Sequence, residues 1–173
     1  MIRIGKYWFT ADTHFDHSKI IEYCKRPFKS INHMNMELIR KWNKKVKPGD
    51  TIFHLGDFCF KGGKQGGKLG RSFFEKQLNG KIILIKGNHD NNNSIIEDMI
   101  IRHGGKYFHL VHNPEEAESE YNLVGHIHDK WLIKKSKNKM LINVGVDVWD
   151  FYPISINQIN ELIDKFMKEK EKD

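Results

Sequence analysis

Five short stretches of the chain carry side chains suited to binding cations: Asp12-Thr13-His14, Gly56-Asp57, Gly87-Asn88-His89-Asp90, His112 and Gly125-His126-Ile127-His128. In extended chain, residues two apart point the same way, so Asp12 and His14 can turn a carboxylate and an imidazole toward one cation. His126 and His128 share that spacing and offer two imidazoles to neighbouring metals, a stronger signal than one histidine alone. Asn88, His89 and Asp90 put an amide oxygen, an imidazole and a carboxylate on a single turn. Each stretch by itself also has a plainer reading. Asp-x-His occurs in many turns, Asp57 could cap the segment that follows it, and Asn88-His89-Asp90 could be a polar turn with an N-cap.

The five stretches share a position relative to the elements around them. Apolar runs at residues 7–11, 51–55, 82–86, 107–111 and 121–124 read as strands, and one candidate stretch follows each. In open α/β sheets, ligands bind at the carboxyl ends of strands. Ile31, Met34, Leu38 and Trp42 recur at helical spacing behind a cap near Ser30, and Pro48-Gly49 breaks the chain after them. Residues 73–78 and 95–101 read as helical. Residues 140–144 form a further strand, joined to 121–124 by a lysine-rich turn in a hairpin or meander. A last helix starts at Ser155, where Ser155 and Gln158 have capping-box spacing, and it carries Ile156, Ile159, Leu162, Ile163 and Phe166 on one face. Its tail from Lys165 to Asp173 is expected to fray. Strand and helix alternate, which predicts an α/β domain.

With 173 residues, 39% of them hydrophobic, and a net charge of +7, the chain reads as one globular domain over 1–173. The longest aliphatic run, residues 82–85, is too short to span a bilayer, and residues 1–11 lack a signal peptide's apolar core, so no membrane association is expected. Cys24 and Cys59 form no disulfide framework, which predicts a reducing, cytoplasmic setting.

In their order along the chain these motifs resemble the calcineurin-like metallophosphoesterases. That family's D-x-H, G-D, G-N-H-D/E, H and G-H-x-H stand here as D-T-H, G-D-F, G-N-H-D, the histidine of V-H-N-P, and G-H-I-H. The resemblance runs from Asp12 to His128. D-T-H-F-D-H-S-K-I-I, H-L-G-D-F and N-V-G-V-D-V-W-D-F-Y-P-I-S are similar to the small, cap-less bacterial and phage members. It implies a four-layer αββα sandwich of two mixed sheets flanked by helices. It also implies two divalent metal ions, one held by Asp12, His14, Asp57 and His128, the other by Asp57, Asn88, His112 and His126, with Asp57 bridging. Oxygen and imidazole donors without thiolate suit Mn, Fe, Zn, Ni or Co. The implied reaction is in-line attack on phosphorus by a hydroxide bridging cations about 3.5–4 Å apart. His89 would assist the leaving oxygen, and Asp90 would orient His89. Apart from the resemblance, His17 lies close enough to His14 along the chain to contact substrate, and Lys61 stands on a basic rim beside the site.

One departure from the pattern follows Gly56-Asp57, where many relatives carry another acidic residue and this chain has Phe58-Cys59-Phe60. His54 reads as core or as support for a ligand, and His33, His103 and His109 as surface or packing residues. Residues 62–68 (G-G-K-Q-G-G-K) fit the spacing of a phosphate-binding loop, but Leu69 stands where such a loop needs Ser or Thr, so they read instead as a basic rim. With the lysines at 134–139, that rim suits an anionic substrate such as a nucleotide or nucleic acid. Phosphodiesters are the expected substrates, with monoesters second. Two alternatives remain: a non-catalytic metal-binding scaffold on the same fold, and a nucleic-acid-binding module resting on the positive charge.

Overall fold

The computed structural model describes residues 5–60, 69–90 and 96–170. A first sheet has the strand order β3-β2-β1-β9. β1 (Tyr7–Thr10), β2 (Thr51–Leu55) and β3 (Lys81–Ile85) run parallel, and the short β9 (Ile154–Ser155) pairs antiparallel to β1. The strands alternate in what they bury. Trp8, Ile52 and Leu84 face a helical layer, whereas Phe9, Phe53 and Ile85 face the second sheet. The helical layer consists of α1 (Lys19–Tyr23), α2 (Ile31–Lys45) and α3 (Arg71–Glu75). α2 begins where the Ser30 hydroxyl accepts the His33 N–H at 3.2 Å, and it buries Met34, Leu38 and Trp42 against the sheet, as the helical spacing predicts.

The second sheet has the order β4-β5-β6-β8-β7. β5 (Lys106–Val111), β6 (Tyr121–Val124) and β8 (Lys139–Asn143) are parallel, and β4 (Asp98–His103) and β7 (Ile133–Ser136) close the edges antiparallel. Phe108, Leu110, Leu123, Met140 and Ile142 meet the first sheet's inner face in one core, which α4 (Ile156–Lys170) completes with Ile156, Ile159 and Ile163. The capping box is formed: the Ser155 N–H donates to Gln158 Oε1 at 3.1 Å, and the Gln158 N–H returns to the Ser155 hydroxyl at 3.4 Å. The architecture is two mixed sheets flanked by helices. Their cover is unequal, since α1 to α3 lie on the first sheet while a 3-10 turn at Pro114–Glu116 sits beside the second.

Several expectations need correction. Residues 95–101 are not a helix: from Asp98 onward the chain is the edge strand β4, and Ile95 lies outside the described residues. β6 and the strand at 139–143 form no hairpin but pair in parallel, and the lysine-rich segment between them is the edge strand β7 rather than a turn. Lysines suit an exposed edge because they discourage further strand pairing. The helix expected at 73–78 is displaced to Arg71–Glu75, and α4 continues through Lys170 instead of fraying from Lys165. Lys61 and the glycine-rich stretch 62–68 lie outside the described residues. No helix among the described residues is long and apolar enough to cross a membrane.

Candidate metal centre

Parallel pairing within each sheet brings the carboxyl ends of β1, β2, β3, β5 and β6 together, and all the candidate stretches leave from those ends. The turns are tied to one another by backbone hydrogen bonds. Asp12 N–H donates to Gly56 O at 3.0 Å, His14 N–H to Asp57 O at 3.0 Å, and Gly125 N–H to His112 O at 3.0 Å. Asp12, His14, Asp57, His126 and His128 all adopt positive φ, between 47° and 71°. Non-glycine residues rarely enter that region, and their clustering marks sites where surrounding structure holds a costly conformation. Gly56 and Gly87 permit the closest approach: a Cβ on Gly56, itself at φ 86°, would lie 2.5 Å from His112 Nδ1 and 2.6 Å from the Gly87 Cα.

Asp57 is central. Its Oδ1 accepts the His89 N–H at 2.8 Å, and its Oδ2 lies 3.5 Å from both His14 Nε2 and His112 Nε2. Donor atoms of Asp12, His14 and His128 lie within 4.8 Å of one another, and so do those of Asp12, Asp57 and His112. Asn88 Oδ1 adds a further donor 2.8 Å from His112 Nε2 and 3.0 Å from His126 Nδ1. All seven expected ligands are thus gathered in one cluster, with Asp12 common to both groups. The donor set fits divalent cations for a second reason. His14 Nε2 is buried and has no hydrogen-bond partner, a costly state for a ring nitrogen unless a ligand completes it. His112 Nδ1 meets the Leu55 carbonyl at 2.8 Å, which assigns the proton to Nδ1 and leaves Nε2 to the cluster.

Electrostatics agree with that assignment. Burial pushes the Asp12 carboxyl up to about 6, partly offset by His112 and His128. Burial would also raise Asp57, but hydrogen bonding and charge from His112, with charge from His14, hold it well below the usual carboxylate range. Burial would lower His112 and His128; the Asp57 and Asp12 carboxylates instead raise His112 to about 9, and chiefly Asp147 raises His128 to about 10. Burial leaves His14 well below its ordinary value. Without a cation, protons on His112 and His128 supply the positive charge that the carboxylates need.

Three residues that sequence reasoning missed support the centre. Asp147 Oδ2 lies 2.9 Å from His128 Nδ1, and the same carboxylate takes Arg26 Nε at 2.8 Å and Nη2 at 2.9 Å. The buried Arg26 guanidinium also donates to the Asp12 and Thr13 carbonyls at 2.7 and 3.0 Å, fixing the Asp12-Thr13-His14 turn. Asn143 donates from Nδ2 to the His128 and Trp131 carbonyls at 2.7 and 2.9 Å, fixing the turn that carries His128. Asp147 does lie in the stretch N-V-G-V-D-V-W-D-F-Y-P-I-S, but nothing local pairs it with an arginine 121 residues away. His54 is a support: Thr13 donates its hydroxyl to Phe58 O at 2.8 Å and so accepts from His54 Nε2 at 2.9 Å, while burial lowers His54 to about 3.

The remaining site residues divide. The His89 ring is exposed, 5.7 Å centroid to centroid from His14, and lines a cleft with His14, His17 and His128. Asp90 does not hold that ring. Its carboxylate instead accepts the Asp57, Gly87 and Phe58 N–H groups at 2.8, 2.9 and 3.0 Å, stitching the second and third turns together. This is a correction to its expected role, and its cause is that three buried donors outcompete one exposed ring. His17 is buried 5.4 Å from the His14 ring, in the cleft wall. His109 proves buried as well, its Nδ1 accepting the Glu118 N–H at 3.2 Å. Phe58, which follows Asp57, is buried in the helix-facing core.

Comparison with known proteins agrees with this geometry. An uncharacterized protein of Methanocaldococcus jannaschii, MJ1445, is 36% identical over 168 residues spanning 92% of each chain. The gene 66 protein of Mycobacterium phage L5 is 23% identical, over 94% of this chain and 96% of its own. The crystal structure of AQ665, a protein of unknown function from Aquifex aeolicus, superposes with a TM-score of 0.68 at 26% identity, covering 91% of this chain and 99% of that one. The family model for calcineurin-like phosphoesterases matches residues 5–172, the span that contains every turn of the cluster, and this chain belongs to that family.

Proposed function

We propose that the protein is a metal-dependent phosphodiesterase. The observation that carries this reading is Asp57 Oδ2, shared at 3.5 Å between the ring nitrogens of His14 and His112 within the seven-residue cluster. Asp12, His14, Asp57 and His128 would hold one divalent cation, and Asp57, Asn88, His112 and His126 a second. Bound there, the pair supplies positive charge to the phosphoryl oxygens and acidifies water toward neutral pH. The protein's own groups do the rest. Hydrolysis joins a water oxygen to phosphorus and breaks one P–O ester bond, and the departing oxygen needs a proton. We assign that proton to His89, whose backbone is tied to Asp57 Oδ1 and whose ring is open to the cleft. Asp90 keeps the Asp57 and His89 turns in register through backbone bonds. Oxygen and imidazole donors favour Mn, Fe, Zn, Ni or Co. Diesters are preferred because the cleft is open to bulky groups on both sides of His126.

The test uses protein stripped of metal, then supplied with manganese, nickel, zinc or magnesium, and assayed on bis(p-nitrophenyl) phosphate and p-nitrophenyl phosphate. Restored turnover, faster on the diester and abolished in Asp57→Asn, is the expected result. Folded protein that binds two ions per chain yet turns over neither ester would replace this reading with a non-catalytic scaffold.

A further inference from the structure

The cleft on the His89 side has a composition that phosphoryl chemistry alone does not require. It encloses about 600 Å³ between His14, His17, Ile20, Tyr23 and Phe60 on one side and His126 to Lys130 on the other. His17 lies face to face with Phe60, with centroids 4.3 Å apart and 12° between planes, and Tyr23 meets His17 edge-on at 6.4 Å. Tyr23 is 64% exposed, so its ring is open to a planar guest. His17 itself is only 6% exposed, and its Nδ1 is buried without any hydrogen-bond partner. On the opposite side of the cleft the exposed Asp129 and Lys130 offer charged groups to the polar edge of such a guest.

Resting on the phosphodiesterase reading, we infer that this cleft receives a nucleoside as the leaving group of the diester. A heterocycle supplies both of the needed features, a flat face for Tyr23 and polar edge atoms for Asp129 and Lys130, whereas an alkyl alcohol supplies neither. The side is fixed by His89, whose ring lies 6.4 Å from Phe60: the oxygen that receives a proton there belongs to the group seated against those aromatics. The neighbouring cleft beyond His126 differs in character. Among the described residues Glu97, Asp98, Glu116 and Glu118 line its outer part beside Lys86, an excess of acid that disfavours a further phosphate. A nucleoside on the aromatic side and an uncharged or cationic alcohol on the other complete the diester.

Adenosine 5′-methyl phosphate tests this directly, because its two ester bonds give different products. With the manganese-loaded protein we expect adenosine and methyl phosphate. Release of adenosine 5′-monophosphate and methanol would overturn the inference, as would no reaction while bis(p-nitrophenyl) phosphate is hydrolysed. Tyr23→Ala is expected to lower kcat/KM about tenfold more for the adenosine ester than for ethyl methyl phosphate, whose leaving groups have no flat face, with Tyr23→Phe restoring most of the difference. An equal loss on both substrates would also overturn it. If neither ester reacts, the phosphodiesterase reading fails, and the cleft is judged by binding: adenosine should still shift the Tyr23 and His17 ring resonances in metal-free protein, and unchanged resonances would dispose of the nucleoside site as well.

Discussion

Asp147→Asn isolates the support beneath the centre. In the folded protein Arg26 is buried, and among the described residues Asp147 is the one carboxylate paired with its guanidinium, its other oxygen acceptors being the Asp12 and Thr13 carbonyls. Removing one partner of a buried ion pair strands the other charge, so the variant should lose about 3–5 kcal/mol of stability in urea titrations of metal-free protein. A second effect is separate. An asparagine at 147 has one oxygen where the carboxylate had two. If that oxygen serves Arg26, the amide N–H₂ faces His128 Nδ1 and forces the proton onto Nε2, the nitrogen facing the cluster. Divalent-cation affinity, measured by competition with a coloured chelator, should fall 10- to 100-fold. The double variant Arg26→Met/Asp147→Asn removes the stranded charge and frees the amide to turn its oxygen toward His128 Nδ1, so it should recover part of both stability and affinity. Wild-type affinity in folded Asp147→Asn protein would refute the claim that Asp147 sets the His128 ring.

Four further outcomes follow from the site and the core. His89→Ala should keep cation binding intact yet slow a diester with an alkyl leaving group far more than one with a nitrophenyl leaving group, which needs no proton; equal losses on both would remove the acid role. With His112 raised to about 9 and His128 to about 10, both rings carry a proton at neutral pH that a cation must displace. Cation affinity should therefore rise with pH, log K changing by about one per unit for each cation and two for the pair between pH 6.5 and 8.5, and a flat profile from chelator-buffered titrations would contradict it. The same shifts govern the metal-free fold. Because both histidines are raised, their stabilisation is full below about pH 6.5 and is lost as pH climbs through 9 to 10. Trp42→Ala, at 2% exposure with its Nε1 donating to Asn79 O at 2.9 Å, should cost about 3–5 kcal/mol by chemical denaturation, and a cost below 1 kcal/mol would mean the core collapses around the gap.

The residues of the cluster were legible because each occupies a short polar turn that follows an apolar run, a pattern local in sequence. Parallel pairing then gathers those turns without any further instruction from the turns themselves. What stayed hidden depends on distant partners. Ile96, Met99 and Ile100 fall at helical spacing, and only pairing with Lys106–Val111 makes that segment an edge strand. Lys134 and Lys135 read as turn residues because an edge strand exposed to water looks polar. Arg26 and Asp147 lie 121 residues apart, and Asp90 satisfies backbone donors on a turn more than thirty residues upstream; neither relation leaves a trace in local spacing.

Five of the seven candidate ligands stand in the left-handed backbone region, and their turns are latched by hydrogen bonds that involve no cation. Among the described residues the shape of the candidate cage is therefore set by the fold itself. An ion that binds there would exchange through the open clefts without unfolding these turns. Occupancy becomes a matter of supply, governed by which divalent cation the surroundings offer and by its intrinsic preference for imidazole and carboxylate, rather than by a folding step that admits only one.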